Sequence, residues 1–252
     1  MSVFVIAEAG SCHDGYYEKA VGLIDVAKDA GADAVKFQYW SDAKRLADRR
    51  NAAEYLPIYQ QYQMPMNWLP RLKAESNRRG IEFMVTAYLP EDVDTIAPYV
   101  ERFKVASFEA GDHNFVHEHL RHEKPILVST GMSPTVSPVT SVQKLHCISS
   151  YPTPLDQANL GVLWSEEYIG YSDHTRCVYT GAFATCAGAT VLEVHIKDWA
   201  TARDNPDAET ALDPAQFTEY VRLVRLAEKM LGDGHKHLMA CEVEMSKYQV
   251  QS

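Results

Sequence analysis

VFVIAEAGSCHDGYYEKAVGLIDVAKDAGADAVKFQ, residues 3–38, contains the pattern that best indicates the fold. A short apolar run at residues 4–7 precedes an amphipathic segment of helical length at residues 18–30. Gly31 suits the end of that helix, and a second apolar run follows at residues 34–37. Alternation of strand-like and helix-like segments is typical of parallel βα units.

The same alternation continues along the chain. Further strands are predicted at residues 82–85, 102–105, 126–128, 142–147, 168–171 and 190–194, which makes eight in all. Helices are predicted at residues 67–79 and 214–231, and Asp213 before Pro214 predicts an N-cap with proline at the first helical position. Eight such units predict an α/β fold, a (β/α)8 TIM barrel over residues 1–240 followed by a tail at residues 241–252.

Two regions interrupt this pattern. Residues 41–66 form a long insertion after strand 2 that is rich in Tyr, Gln and Arg, and we expect it to cover the pocket as a lid. The segment STGMSPTVSPVTSVQ, residues 129–143, has two prolines and too few residues for a three-turn helix. The fifth helix is therefore predicted to be reduced or missing, and the tail is either a short helix or disordered.

Composition narrows the class of protein. The 252 residues are 46% hydrophobic and 23% charged, which fits one globular domain. A formal net charge of -10 disfavours nucleic acid or an anionic membrane as a partner. The five cysteines lack CxxC spacing, so neither a disulfide framework nor a cysteine zinc site is indicated. With no apolar run of membrane-spanning length and no signal-peptide pattern, we expect a cytoplasmic protein.

Polar residues end nearly every predicted strand. In this fold, the loops after the strand C-termini build the active site. The residues are Glu8; Lys36 and Gln38; Thr86; Lys104, Ser107 and Glu109; Ser129 and Thr130; His146 and Ser149; Ser172, Asp173 and His174; and Glu193 and His195. Any one of them alone is more often structural than functional. Burying so many polar groups at one rim would be costly without a shared ligand, so together they predict a binding site.

These groups divide by chemistry. Lys36 and Lys104 supply positive charge and the hydroxyls of Thr86, Ser107 and Ser129 supply directional hydrogen bonds, a combination that suits a phosphorylated acid. 

The remaining groups suggest a metal and proton transfer. His174 and His195 could hold one divalent metal ion with open positions, or could simply be hydrogen-bonded in the core. Glu8 and Glu109 could divide proton transfer and hydroxyl binding between them. Asp207, in a Pro/Asn/Asp loop, would by itself be read as a turn residue.

Seven ordered segments resemble the motifs of the sialic acid synthase (N-acetylneuraminate synthase) family, which includes legionaminic and pseudaminic acid synthases and spore coat polysaccharide homologues. They are IAEAGSCHDG, AGADAVKFQ, FKVASFEAGD, KPILVSTGM, LHCISSYPTP, GYSDHT and GATVLEVHIKD, and the resemblance covers residues 3–231. It implies a barrel that condenses phosphoenolpyruvate with the open-chain aldehyde of an amino sugar and releases phosphate. The expected partners are phosphoenolpyruvate, a small aldehyde or amino sugar, and further copies of the chain in a homo-oligomer.

The resemblance also implies residue roles. It implies catalytic roles for Glu8, His195 and Asp207. It also implies that His174 and His195 bind a manganese or magnesium ion. The residues expected to bind phosphoenolpyruvate are Lys36, Thr86, Lys104, Ser107, Ser129 and Ser172. Glu109 is expected to contact the sugar. The segment LHCISSYPTP adds Ser149 and Tyr151 as substrate-binding candidates.

The sequence departs from the family at the acceptor side. Members usually continue into a C-terminal antifreeze-like (SAF) domain whose arginine reaches the partner's sugar site, whereas this sequence ends at Ser252. Cys12 and Ser149 replace commonly found asparagines, and the loop before Asp207 is altered. The sequence therefore leaves the acceptor open between an amino sugar and another aldehyde, and a separate SAF-like polypeptide is one way to supply the missing domain.

Two other classes of function remain open on the residues alone. One is a metal-dependent aldolase or isomerase that does not use phosphoenolpyruvate, with a Schiff-base aldolase on Lys104 or Lys36 as a variant. The other is a degenerate barrel that binds phosphoenolpyruvate or metal without turnover.

Overall fold

The structure is a computed structural model that describes residues 2–132 and 141–250. The strands are β1 Phe4–Gly10, β2 Ala34–Tyr39, β3 Glu82–Ala87, β4 Phe103–Val105, β5 Ile126–Ser129, β6 Gln143–Cys147, β7 Tyr168–Asp173 and β8 Val191–His195. They form one parallel sheet in the order β3-β2-β1-β8-β7-β6-β5-β4. Because β3 and β4 also lie side by side, the sheet is nearly closed, and the predicted (β/α)8 TIM barrel is confirmed.

The helices surround this sheet and extend above it. They are α1 Tyr17–Asp29, α2 Ala43–Arg49, α3 Leu56–Gln61, α4 Trp68–Arg79, α5 Pro90–Ile96, α6 His113–Leu120, α7 Thr180–Cys186, α8 Pro214–Leu231 and α9 Val243–Ser246. The predicted cap of α8 is confirmed. The Asp213 carboxylate accepts a hydrogen bond from the backbone N–H of Gln216, and the side-chain oxygen of Gln216 accepts one from the backbone N–H of Asp213. Among the described helices, none has the length and apolar character of a bilayer span.

The barrel interior is apolar at one level and polar at the next. Ile6, Leu127 and Leu145 belong to a small buried cluster inside the ring, while a larger core fills the space between strands and helices. Successive side chains of a strand point to opposite faces, so a residue two positions further along a strand faces inward again. Glu8 thus follows Ile6 into the interior, and Ser129 follows Leu127, toward the carboxyl ends of the strands.

The long insertion folds as α2, a 3-10 turn at Ala53–Tyr55, and α3. Its Leu46 and Tyr62 are buried in a cluster with Trp40 and Tyr88 from the ends of β2 and β3. This apolar contact holds the insertion against the carboxyl end of the barrel, where the sequence predicts a lid.

Other connections depart from a regular barrel. Between β6 and β7, two 3-10 turns at Leu155–Gln157 and Leu160–Trp164 replace a helix. The predicted loss of the fifth helix concerns residues 130–142, of which 133–140 lie outside the described part of the chain. In the tail, α9 takes the short-helix alternative, and its residues are mainly exposed.

Candidate active site

A cavity of about 830 Å³ opens at the carboxyl ends of the strands, between the barrel and the insertion. Its volume is in the range of small-molecule sites. Of the thirteen site residues that the sequence predicts, all but Thr86 and Ser149 line it: Glu8, Lys36, Lys104, Ser107, Glu109, Ser129, Tyr151, Ser172, His174, His195 and Asp207. Thr86 and Ser149 each contact a residue that lines the cavity. Thr86 Oγ1 accepts a hydrogen bond from Lys36 Nζ at 2.9 Å, and Ser149 Oγ donates one to Ser107 Oγ at 2.8 Å.

Two buried lysines and two buried glutamates form the floor of the cavity. Lys36 Nζ lies 2.7 Å from Glu8 Oε2 and 3.7 Å from Glu193 Oε2, and Lys104 Nζ lies 3.4 Å from Glu193 Oε1. Burial favours the neutral amine in both lysines. For Lys36, the charges of Glu193 and Glu8 outweigh burial and raise its pKa, whereas for Lys104 burial prevails and lowers the pKa. Lys104 is therefore the more easily deprotonated of the pair.

Glu193 organises this floor, and sequence reasoning noted it only as a strand-end residue. Although burial favours its neutral acid, the charges of Lys104 and Lys36 and a hydrogen bond from Ser172 Oγ at 2.9 Å lower its pKa to about 2. The ionised carboxylate holds both ammonium groups in place before any ligand arrives. Gln38 was likewise recognised as a strand-end residue and not as a site residue, and its amide donates to Glu8 Oε1 at 3.0 Å.

Hydroxyl groups line the wall beside Lys104. Ser129 Oγ is buried and has no hydrogen-bond partner in the described residues, so it is available to a ligand. Gly131, with φ of +39°, passes so close that a Cβ there would lie 2.5 Å from Ser107 Cβ. A glycine at this point allows the loop after β5 to approach the serine that faces the cavity.

His174 and His195 lie together at the carboxyl ends of β7 and β8, with ring centroids 5.6 Å apart. His174 Nδ1 donates to the Ile148 carbonyl at 2.7 Å, which leaves Nε2 with a free lone pair. Burial, aided by His195, lowers the pKa of His174 to about 3, so the imidazole is neutral. The Tyr151 ring packs over His174 at 4.3 Å between centroids.

This pair fits a divalent ion as a partial ligand set. His195 Nδ1 is buried without a hydrogen-bond partner among the described residues, and it lies 3.8 Å from Asp207 Oδ1, which is too far for a hydrogen bond. A neutral imidazole and an unpaired ring nitrogen are what metal ligation requires. Within residues 2–132 and 141–250, no group of three or more His, Cys, Asp or Glu side chains is arranged around one point. Any ion here would keep open positions for water or substrate.

The loop after β1 fixes Asp207. The backbone amide and hydroxyl of Ser11 donate to Asp207 Oδ2 at 2.8 and 2.7 Å, and the Asp207 amide donates to Asn205 Oδ1 at 2.9 Å. Gly10 has φ of +52°, and a Cβ there would lie 2.4 Å from Asp207 Oδ2. Sequence reasoning missed Ser11 and Asn205, although Asn205 belongs to the altered loop that it singled out.

Where the insertion lines the cavity, Glu109 is paired with one of its residues. Arg50 Nη2 lies 2.7 Å from Glu109 Oε1, and Arg50 Nε donates to the same oxygen at 2.9 Å. Sequence reasoning missed Arg50, because the only signal was the arginine-rich composition of a segment without strand periodicity.

Comparison with known proteins assigns the family. Residues 23–236, most of the barrel, match the NeuB family. The chain belongs to the NeuB family. Among its relatives, pseudaminic acid synthase of Campylobacter jejuni is 32% identical, with 92% of this chain and 76% of the relative covered. N,N'-diacetyllegionaminic acid synthase of Legionella pneumophila is 31% identical, with 94% of this chain and 75% of the relative covered.

A solved NeuB-family structure matches the fold over nearly the whole chain. The N-acetylneuraminic acid synthetase of Leptospira borgpetersenii superposes with a TM-score of 0.86 at 26% identity, covering 98% of this chain and 91% of that one. Since the relatives named above are synthases, this NeuB-family chain is an enzyme of the synthase type, as the sequence predicts.

Proposed function

We propose that this protein joins phosphoenolpyruvate to the aldehyde carbon of a small acceptor, an amino sugar or a related aldehyde, and releases phosphate. The observation that carries the proposal is the floor of the cavity, where Lys36 and Lys104 lie buried on a shared carboxylate, Glu193. Two ammonium groups and the Ser129 hydroxyl, which has no hydrogen-bond partner among the described residues, suit a ligand that has both a carboxylate and a phosphate. The family of synthases named above supports the same reaction class.

The bond changes set the tasks of the side chains. C3 of phosphoenolpyruvate forms the new bond to the aldehyde carbon, water adds at C2, and the bond from C2 to the phosphate oxygen breaks. Lys36 and Lys104 bind and orient the anionic donor and stabilise the departing phosphate. We assign proton transfer to Glu8, whose carboxylate lies between Lys36 and Gln38 in the floor of the cavity.

We propose further that His174 and His195 hold a divalent cation, Mn²⁺ or Mg²⁺. When bound, such an ion polarises the aldehyde oxygen and offsets part of the negative charge of the donor. The neutral imidazole of His174 supports this role, as does Nδ1 of His195, which has no hydrogen-bond partner among the described residues. The position of Tyr151 against His174 restricts the orientation of that imidazole.

The test is an assay of phosphate release and product mass with phosphoenolpyruvate, Mn²⁺ and a panel of amino-sugar and other aldehydes. We expect acceptor-dependent release that is lost in His195→Ala and retained in Lys44→Ala, a lysine on the solvent side of α2 with a largely exposed side chain. Absence of release with every acceptor, despite binding of phosphoenolpyruvate, would favour the degenerate binding barrel. Absence of binding as well would refute the donor assignment.

A second candidate follows from the lowered pKa of Lys104. A buried amine with a lowered pKa is suited to form a Schiff base with a carbonyl substrate. Borohydride added with a carbonyl substrate such as pyruvate would then leave a covalent adduct that mass spectrometry maps to Lys104. Lys104→Arg should abolish the adduct, and an adduct that persists in this variant would point to Lys36.

The homo-oligomer and the separate partner domain expected from the sequence stay predictions. Sedimentation of the purified protein, alone and with phosphoenolpyruvate, measures its oligomeric state. Activity with simple aldehydes in the absence of any added protein bears on the second, because a site completed by another chain should be inactive alone.

A further inference from the structure

Arg50 lies inside the cavity although it belongs to the insertion. It follows α2 directly, and the side chain is only 20% exposed. Burial opposes the charge, but the carboxylate of Glu109 outweighs it and keeps the pKa of Arg50 above its ordinary value. The guanidinium is therefore a fixed, charged group at the end of the cavity that the insertion covers.

The Arg50 and Glu109 pair leaves hydrogen-bonding capacity unused on both partners. Among the described residues, Arg50 makes three hydrogen bonds, two to Glu109 Oε1 and one from Nη1 to the Tyr59 hydroxyl at 3.3 Å. A guanidinium has five N–H groups, so two are left. Glu109 Oε2 is buried and has no partner among the described residues. A ligand hydroxyl can accept from Arg50 and donate to Glu109 at the same place.

Aromatic rings form the walls around this pair. The guanidinium carbon of Arg50 lies 4.7 Å from the ring centroid of Tyr88, 5.0 Å from that of Phe108 and 5.9 Å from that of Tyr59. These rings hold the guanidinium plane in place and offer flat apolar faces to the C–H groups of a sugar-like chain. The surroundings combine apolar faces with one donor–acceptor pair, which suits a polyhydroxylated ligand.

The charges at this end cancel in pairs. Arg50 is matched by Glu109, and the neighbouring Arg49 is matched by Asp112, with Nη2 2.8 Å from Oδ2. A phosphate group could take Arg50 only by displacing a buried carboxylate or by lying against it, and either arrangement is costly. The cavity end therefore discriminates against an anionic acceptor.

From this geometry we infer that Arg50 is a specificity-determining residue, which together with Glu109 selects an uncharged, polyhydroxylated aldehyde over its phosphate ester as the acceptor. The inference rests on the proposed condensation with phosphoenolpyruvate. It adds the chemical class of the acceptor and the residue that recognises it. The insertion thereby contributes a binding group from the same chain, in addition to covering the cavity.

The experiment compares an N-acylated amino sugar with its phosphate ester as acceptors at saturating phosphoenolpyruvate. The wild-type protein should prefer the uncharged sugar by about tenfold or more in kcat/KM. Arg50→Lys keeps the positive charge but loses the planar guanidinium with its several N–H donors. The acceptor KM should therefore rise about 10- to 100-fold, while the phosphoenolpyruvate KM stays unchanged. Glu109→Gln removes the repelling charge and should narrow the preference between the two acceptors.

The matched control is Arg45→Ala, on the solvent side of α2, the helix that ends just before Arg50, where Arg45 pairs with Glu91. It should leave both KM values unchanged, and thermal melts check that every variant is folded. An unchanged acceptor KM in folded Arg50→Lys, or a wild-type preference for the phosphate ester, overturns the inference. If no acceptor is turned over, the proposed function fails separately, and calorimetric titration of the uncharged sugar still decides the matter, since equal affinity for wild type and Arg50→Lys overturns the role of Arg50.

Discussion

Glu193 divides its two carboxylate oxygens between two lysines: Oε1 lies 3.4 Å from Lys104 Nζ, and Oε2 lies 3.7 Å from Lys36 Nζ. The three side chains come from three different strands, and all are buried. A carboxylate in this position sets the separation of the two ammonium groups. The site is thereby organised in the free protein, which lowers the cost of ordering it when an anionic ligand binds.

Glu193→Gln tests this arrangement. The amide cannot compensate two buried ammonium groups, so unfolding should become easier by about 3–5 kcal/mol in urea titrations. The KM for phosphoenolpyruvate should also change, because Lys36 and Lys104 lose their common anchor. Glu167→Gln is the control, since Glu167 pairs with Lys144 at the surface and should matter little. Equal stability of wild type and Glu193→Gln would contradict the role of this carboxylate.

Gly10→Ala should inactivate the enzyme through Asp207. An added Cβ would lie 2.4 Å from Asp207 Oδ2, and φ of +52° adds backbone strain of about 1 kcal/mol. Gly15→Ala separates the two effects, because Gly15 also has positive φ, +78°, but a Cβ added there would lie 3.5 Å from its nearest neighbour, Gln61 O, which is an ordinary contact distance. The expected result is a loss of kcat in phosphate release for Gly10→Ala only. Similar kcat values in the two variants would show that strain, and not displacement of Asp207, controls activity.

Much of the fold and part of the candidate site could be predicted from the sequence. The two-residue period of a strand puts Ile6 and Glu8 on the same face, and eight parallel strands place their carboxyl ends at one rim. The roles assigned to the rim residues stay predictions until variants are assayed. The strand limits were less certain: β4 begins at Phe103 and not at residue 102, and β6 begins at Gln143 and not at residue 142.

The missing parts depend on contacts between distant segments. Arg50 is 59 residues from Glu109, and its role follows from how the insertion folds over the barrel, which no local pattern encodes. Ser11 and Asn205 lie 194 residues apart and meet only because β1 and β8 are neighbours in the sheet. Polar residues in loops resemble ordinary turn residues until such partners are known.

Acid should destabilise the fold through His119, which is remote from the cavity and fully buried on α6. Burial lowers its pKa from 6.5 to about 4. The unfolded chain therefore takes up this proton more readily, and stability is lost as the pH falls from about 6.5 to about 4. His119→Leu should remove that loss, so the stability difference between wild type and variant should shift by about 3 kcal/mol over this range. Other titrating groups cancel in the difference.

The check is urea unfolding of both proteins at a series of pH values, with His117→Leu as control because His117 lies exposed on the same helix. The control should run parallel to wild type. If His119→Leu also runs parallel to wild type, the buried imidazole takes up its proton in the folded state and the assignment is wrong.

Manganese binding should be visible without turnover, as a rise in Tm. An ion at about 100 times its Kd stabilises the folded state by about 2.7 kcal/mol, which for a chain of this size raises Tm by about 5–10 °C. Because His174 and His195 are the proposed ligands, replacing either with alanine should remove most of the rise. His235→Ala, in the exposed tail, should retain it. A rise that survives in the double variant His174→Ala/His195→Ala would place the ion elsewhere. His195 Nδ1, which has no hydrogen-bond partner among the described residues, would then be available to bind substrate directly.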